Sequence, residues 1–157
     1  MVKKILISGA ANGLGFELAN ILSKRENCKL ILLDKDEKLV ELAGKLNSEF
    51  FLLDLSKSHN FAEDKINLDN IDYFINNASF AKKKNFDEMS DQQIIDEINI
   101  SITSPLIIIN NLLKKNINLK VINILSTTVF FPSPTYSIYS SNKTFIKKLF
   151  DNLTFEK

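Results

Sequence analysis

Short, nearly continuous apolar runs recur along the chain. They are KILIS (residues 4–8), KLILLD (29–34), FFLLD (50–54), IDYFINN (71–77) and KVINILS (120–126). Such runs are typical of strands that are buried on both faces, as in a parallel sheet. Between them lie segments with helical spacing, one at Phe16, Ala19 and Leu22 and another from Ile94 to Ile109. This alternation predicts an α/β fold: a Rossmann-like, doubly wound parallel sheet in three α/β/α layers.

The composition is that of one domain covering residues 1–157, with 45% hydrophobic and 25% charged residues. The formal net charge of +1 provides no overall field for nucleic acid or an anionic membrane. The start MVKKILISGA is not typical of a secretory leader, and no apolar run approaches a membrane span. Cys28 is the only cysteine and His59 the only histidine, so we expect no disulfide, no zinc site, no Ser-His-Asp triad and a cytoplasmic location.

Three of the four glycines follow the first predicted strand, in GAANGLG at Gly9, Gly13 and Gly15. Glycine is needed where a strand-to-helix turn takes positive φ or approaches a ligand closely. The next helix should start near Leu14, and its N-terminal amides and dipole would suit a pyrophosphate. The spacing differs from G-x-G-x-x-G and from a P-loop, and no lysine follows the last glycine, which argues against ATP or GTP bound by a P-loop.

Asp34 ends the second predicted strand, about 20 residues after the glycine turn, where a carboxylate accepts hydrogen bonds from an adenosine ribose. A carboxylate there repels a 2′-phosphate, so NAD is favoured over NADP as the cofactor. Lys35 would weaken this preference, and Asp36 would strengthen it. Taken alone, Asp34 also fits a solvated residue at a strand end.

Several further motifs follow the predicted strands in order. SGAANGLG resembles the Thr-Gly-x3-Gly-x-Gly cofactor turn of the short-chain dehydrogenase/reductase family, with Ser8 in place of threonine. LDL at residues 53–55, NNAS at 76–79, EINISITSPL at 97–106 and INILS at 122–126 are similar to the family's later motifs. Ser79 replaces the family's glycine. The resemblance implies that the cofactor contacts Ser8, Gly9, Asn12, Gly13, Leu14, Gly15, Asp34, Asp54, Leu55, Asn77, Ala78, Tyr139 and Lys143.

The stretch YSIYSSNK contains two tyrosines that compete for one lysine. On a helix, residues four apart lie one above the other, which pairs Tyr139 with Lys143 and Tyr136 with Ser140. Tyr136 lies two turns from Lys143, about 10 Å along the axis at 1.5 Å per residue. It also follows Pro132 and Pro134 closely, so it should precede the helix proper. The family's Tyr-x3-Lys pair therefore corresponds to Tyr139 and Lys143.

The resemblance implies an NAD(P)-dependent oxidoreductase that transfers hydride between a nicotinamide and an alcohol or carbonyl substrate. An ammonium beside a phenol favours the phenolate, so Tyr139 would exchange the proton. Lys143 would also hold the nicotinamide ribose, and Asn99 would support a proton relay. Ser126, chosen over Thr127 and Thr128 by its spacing from the tyrosine, would position the substrate oxygen.

The family usually continues into further strands and a substrate loop, whereas this sequence stops at Lys157. We therefore expect the C-terminal strands to be missing. Three alternatives to a complete enzyme stay open: a truncated remnant, a dinucleotide-binding protein without turnover, and one half of a split reductase. The resemblance also implies a homodimer, formed by the helix from Ile94 to Leu113 and the helix from Tyr139 to Leu153, both of which carry apolar residues on several faces.

Overall fold

The computed structural model describes residues 2–57 and 68–156, and His59 lies outside them. Within these residues a strand is usually followed by a helix, although the third strand is followed by the fourth and the third α-helix by the fourth. The strands are β1 (Lys3–Ser8), β2 (Cys28–Asp34), β3 (Glu49–Leu52), β4 (Tyr73–Asn76) and β5 (Lys120–Asn123). The α-helices are α1 (Gly13–Ser23), α2 (Lys38–Leu46), α3 (Asp91–Ile98), α4 (Ser104–Lys115) and α5 (Ser137–Leu153).

The five strands form one parallel sheet in the order β3-β2-β1-β4-β5. The chain winds outward from β1 to β3, returns to the centre and winds the other way through β4 and β5. The winding direction reverses between β1 and β4, so Ser8 and Asn76 end their strands at the switch point, where sheets of this kind bind ligands. The predicted doubly wound sheet is confirmed.

Alternating residues of the central strands face two separate cores. Leu6, Ile31, Leu33 and Phe74 pack with Ile108 and Leu112 of α4 and with Phe150 of α5. On the opposite face, Ile5, Ile7, Leu30 and Leu32 pack with Ala19 of α1 and with Leu39 and Leu42 of α2. Burial on both faces explains why these strands are unbroken apolar runs, and it produces the three predicted layers.

Three strands end earlier than their apolar runs predict. β3 stops at Leu52, β4 at Asn76 and β5 at Asn123, so Asp54, Asn77 and Ser126 lie in loops just beyond them. The polar side chains just beyond these strands form hydrogen bonds with nearby backbone groups, and the backbone hydrogen bonds between strands end there. The Asp54 carboxylate accepts the Ser56 N–H at 3.0 Å, and the Ser126 hydroxyl accepts the Thr128 N–H at 3.2 Å.

The helix predicted from residue 94 to residue 113 is present, but its α-helical hydrogen bonding is interrupted, which the sequence did not predict. A π turn (Asn99–Thr103) separates α3 from α4, and the Ser104 N–H bonds the Asn99 carbonyl five residues back. Pro105 has no N–H to bond the carbonyl of Ser101, and its ring would crowd that carbonyl in a regular helix. Side chains also hold the wider turn, because Asn99 donates to the Ser56 carbonyl at 2.9 Å and Ser104 to the Leu55 carbonyl at 2.8 Å. Such turns often occur at functional sites.

None of the helices in the described part of the chain combines the length and the apolarity that a bilayer span requires. Among residues 2–57 and 68–156, no three His, Cys, Asp or Glu side chains cluster in a way that would hold a metal ion.

Candidate functional site

The turn after β1 is packed so tightly that side chains would not fit at two of its glycines. A Cβ at Gly15 would lie 2.0 Å from the Gly9 carbonyl oxygen and 2.7 Å from Nδ2 of Asn77. One at Gly9 would lie 2.8 Å from Cα of Ala78. Gly9 and Gly13 have φ values of 67° and 55°, in the left-handed region that favours glycine. Space is open around Gly13, so the turn presents bare backbone at the switch point.

Ser8 and Asn77 join this turn to the loop after β4. The buried Ser8 hydroxyl accepts the N–H groups of Asn77 and Ala78, both at 3.1 Å, and donates to the Ile75 carbonyl at 3.4 Å. In return, Nδ2 of Asn77 donates to the carbonyls of Ser8 and Gly9, both at 3.0 Å. A strand-end hydroxyl and one amide therefore fix the two loops that flank the switch point.

The N-terminus of α1 faces outward without a capping side chain. Asn12 occupies the N-cap position, but its Nδ2 donates to Oδ2 of Asp36 at 3.0 Å, and no acidic residue lies in the first turn. The first amides of a helix have no intrahelical partner, and the dipole makes this end positive. Leu14 in this turn is exposed. The helix end thus has the character of an anion site.

Asp34 is held toward the glycine turn by backbone amides. Its Oδ2 accepts the Ala11 N–H at 3.0 Å, while Oδ1 accepts the N–H groups of Lys35 at 2.7 Å and Asp36 at 3.1 Å. A carboxylate oxygen has more than one lone pair, so Asp34 retains capacity to accept further hydrogen bonds.

Asp54, in the loop after β3, lies near the residue that follows Asp34, with its Oδ1 at 3.8 Å from the Lys35 ammonium. Partial burial raises the pKa of Asp54, but hydrogen bonds from Ser56 and the charges of Lys35 and Lys57 outweigh it, so the pKa lies below its usual range. Asp54 therefore stays ionised at neutral pH, and Leu55 beside it is buried.

Five of the predicted cofactor residues line one pocket at the carboxyl edge of β1, β2 and β3, namely Gly9, Asp34, Asp54, Leu55 and Ala78. Its other lining residues, not predicted as site residues, are Leu33, Lys35, Leu53, Ser79, Phe80 and Ile100. Each of them is at most two residues from a predicted site residue, Ile100 being next to Asn99, so extending each motif by two residues would have found them. Asn12 and Gly13 line a separate groove between α1 and α2.

The acid–base candidates lie on α5. The helix begins at Ser137, so Tyr136 occupies the N-cap position and Tyr139 lies in the first turn. The Lys143 ammonium lies 5.6 Å from the centre of the Tyr139 ring, and the Tyr136 ring packs edge-on at 6.4 Å from the same ring. Lys143 is buried and donates to the Ile124 carbonyl at 2.7 Å. Burial lowers the pKa of Lys143.

Ser126 and Asn99 reach this region from other elements. Ser126 caps a short 3₁₀ turn (Thr127–Val129) that follows β5 and packs against α5. Asn99 opens the π turn, which also packs against α5, but its side-chain amide donates to the Ser56 carbonyl on the side of the cofactor pocket. The structure thus brings Tyr139 and Lys143 together and directs the Asn99 amide elsewhere.

Comparisons with known proteins agree with the fold. The family model for short chain dehydrogenases matches residues 3–157, and the chain therefore belongs to the short chain dehydrogenase family. The 3-oxoacyl-(acyl-carrier-protein) reductase of Rickettsia typhi is 25% identical in an alignment 160 residues long. The alignment covers 98% of this chain and 66% of that protein.

Two solved structures share the fold. A bulky-bulky ketone specific alcohol dehydrogenase from Comamonas testosteroni has a TM-score of 0.89 at 24% identity, covering 99% of this chain and 69% of that one. A short-chain dehydrogenase from Sphingobium yanoikuyae, solved with NADPH, has a TM-score of 0.89 at 26% identity, covering 99% of this chain and 66% of that one. The chain spans about two thirds of the length of the relatives that it matches.

Proposed function

We propose that the chain is part or all of an oxidoreductase that transfers hydride between a nicotinamide dinucleotide and an alcohol or carbonyl substrate. One observation carries the proposal. The buried Lys143 ammonium lies over the Tyr139 ring at the sheet edge that also holds the glycine turn. A cofactor cradle and an acid–base pair at one edge are what such a reaction requires.

The residues of the cradle fit a dinucleotide. The close contacts of Gly9 and Gly15 bring bare backbone to the switch point, and the N-terminus of α1 suits the pyrophosphate. Asp34 would accept hydrogen bonds from the adenosine ribose, Asp54 and Leu55 would border the adenine, and Asn77 and Ala78 would support the middle of the cofactor. The glycine turn would contribute Ser8, Asn12, Gly13 and Leu14.

The Asp34 carboxylate favours NADH over NADPH, because a 2′-phosphate beside it would be repelled. Two observations favour NADPH instead. Lys35 lines the same pocket, and the Sphingobium yanoikuyae relative was solved with NADPH. We infer that Asp34 outweighs Lys35, because backbone amides hold its carboxylate in place, whereas the Lys35 side chain is exposed and interacts with Asp54. Equal affinity for NADH and NADPH would contradict this inference.

A bound reduced nicotinamide supplies the hydride. The hydroxyl of Tyr139 donates its proton to the substrate oxygen as a carbonyl becomes an alcohol, and it takes the proton back in the reverse direction. The Ser126 hydroxyl donates a hydrogen bond to the same oxygen and orients it. Lys143 stabilises the phenolate left on Tyr139 and binds the ribose. The Asn99 amide is bound to the Ser56 carbonyl, so Asn99 supports the proton relay by holding the π turn against α5.

The test is NADH oxidation by the purified chain with a panel of carbonyl compounds that includes 3-oxoacyl thioesters and bulky ketones. Tyr139→Phe keeps the ring and removes one oxygen, so turnover should fall by about 100-fold or more while NADH still binds. Tyr136→Phe is the matched control and should retain turnover. The proposed mechanism is wrong if Tyr136→Phe is the inactive variant, whereas NADH binding without turnover across the panel would indicate a binding protein.

We also propose a cytoplasmic homodimer. Ile95 and Ile98 on α3 and Phe145 on α5 are exposed apolar side chains on helices that pack against each other. A second copy would cover them, as large exposed apolar patches are uncommon on monomers. The proposal of a cytoplasmic location rests on the sequence, in which Cys28 is the only cysteine.

A further inference from the structure

Glu97 is a buried carboxyl group that the proposed chemistry does not use. It lies near the end of α3, two residues before Asn99, and is 2% exposed. Its Oε1 accepts the backbone N–H of Lys82 at 3.1 Å, and no ion pair with it occurs among the described residues. Burial raises the pKa of Glu97, although the Lys82 N–H opposes the change. An ionisable group buried this way costs free energy that one hydrogen bond does not repay.

The partner of Glu97 lies in the middle of the segment that we call the β4 loop (residues 77–84). This loop is attached at three places along its length. Its first residues, Asn77 and Ala78, bind the Ser8 hydroxyl, and its last residue, Lys84, donates its N–H to the Thr135 carbonyl at 2.9 Å. The Glu97 carboxyl supplies the central attachment.

The β4 loop borders both halves of the site. Ala78, Ser79 and Phe80 line the cofactor pocket directly before the attachment at Lys82. After it, Lys84 binds Thr135, a β-branched residue whose φ of 67° is strained and has to be held by its surroundings. Thr135 precedes Tyr136, the N-cap of the helix that carries Tyr139. A shift of the loop would move the pocket wall and the approach to α5 together.

The backbone of Glu97 makes a second connection to the same helix. Its carbonyl accepts Nδ2 of the buried Asn142 at 3.2 Å, and Asn142 directly precedes Lys143. One residue of α3 therefore contacts the β4 loop through its side chain and α5 through its carbonyl. A leucine would fill the same volume, so packing alone does not explain a side chain with an oxygen acceptor here.

We propose that Glu97 is a positioning residue whose carboxyl group holds the β4 loop in the conformation that forms the wall of the cofactor pocket and braces the start of α5. The proposal rests on the proposed function for its effect on cofactor binding. Its effect on the loop itself does not depend on any cofactor. The two effects can therefore be tested separately.

The experiment measures amide hydrogen exchange at Lys82 and Lys84 by NMR and NADH affinity by calorimetry. Glu97→Leu removes the acceptor and keeps the volume, so both amides should exchange at least about tenfold faster and NADH should bind about tenfold more weakly. Glu97→Gln keeps an oxygen acceptor and should restore both quantities to within about threefold of the unmutated protein. Asp96→Leu, the neighbouring acidic residue that accepts from Gln92 instead of the loop, should change neither.

The proposal is overturned if the Lys82 amide is unprotected in the unmutated protein, or if Glu97→Leu leaves exchange and affinity unchanged. It is also overturned if Glu97→Gln fails to restore them. Should Glu97→Leu not fold, protection of Lys82 in the unmutated protein and in Glu97→Gln decides the question. If the unmutated protein does not bind NADH, the proposed function fails. The exchange data then still test whether Glu97 holds the β4 loop.

Discussion

Gly15 and Gly44 differ in what a methyl group at each would contact. In Gly15→Ala the new Cβ would meet the Gly9 carbonyl oxygen, so we expect a loss of about 3 kcal/mol or more in the free energy of unfolding and a loss of NADH binding. Gly44 lies inside α2 with no atom within 4 Å of the added Cβ. Gly44→Ala should therefore stabilise the protein by about 0.5–1 kcal/mol. Urea denaturation measures both changes, and similar values for the two variants would contradict the packing of the turn.

Ser8 is the residue through which the two loops at the switch point are joined. Ser8→Ala would leave the N–H groups of Asn77 and Ala78 without their acceptor, so the free energy of unfolding should fall by about 1–3 kcal/mol. Ser48→Ala, which removes one hydroxyl bond at a loop away from the site, is the control and should cost less. Urea denaturation measures the free energy of unfolding of both variants. An equal loss in the two would mean that other contacts hold the loops.

Lys143 should make stability depend on pH, because burial lowers its pKa below the usual 10.5. The unfolded chain then binds more protons than the folded one between the lowered pKa and 10.5, so folding is penalised at low pH and the penalty fades as pH rises. Measured against Lys143→Met, the unmutated protein should gain stability as pH increases toward 10.5. Urea denaturation from neutral to alkaline pH follows this difference, with Lys148→Met controlling for the loss of a lysine charge. If the stability of the unmutated protein relative to Lys143→Met falls as pH rises, the folded protein stabilises the Lys143 ammonium, and the prediction is contradicted.

At the scale of elements, the capping of α3 determines how firmly Glu97 and Asn99 are held. Ser90 accepts the Gln93 N–H, and the Gln93 side chain accepts the Ser90 N–H, a complete capping box. Ser90→Ala should lower the free energy of unfolding by about 0.5–2 kcal/mol. Glu37, the N-cap residue of α2, makes no side-chain capping bond, so Glu37→Ala is the matched control with little effect. Equal thermal shifts for both variants would mean that the capping box does not stabilise α3.

The elements also show which parts of the structure are predictable from sequence. The central strands were predictable because burial on both faces leaves a local signature of unbroken apolar residues, and the glycine turn because its close contacts exclude side chains. The π turn and the burial of Glu97 were not, because they depend on partners far along the chain. Asn99 binds Ser56, and Glu97 binds Lys82, pairs whose separation no periodicity reveals.

At the scale of the whole molecule, exposed apolar residues on α3 and α5 predict self-association. Light scattering at micromolar concentration should find a dimer, and Phe145→Glu should shift it toward monomer, since a charge at the interface is costly to bury. Val2→Glu places the same charge on an exposed apolar residue before β1 and should leave the dimer intact. A stable monomer in the unmutated protein would overturn the prediction of a dimer.

We propose that the carboxyl edge of this sheet binds a nicotinamide dinucleotide, and calorimetric titration of the unmutated chain with NADH and NADPH decides this claim. We expect saturable binding of one NADH per chain, with weaker binding of NADPH because of the Asp34 carboxylate. Binding of neither dinucleotide to the folded protein would contradict the claim.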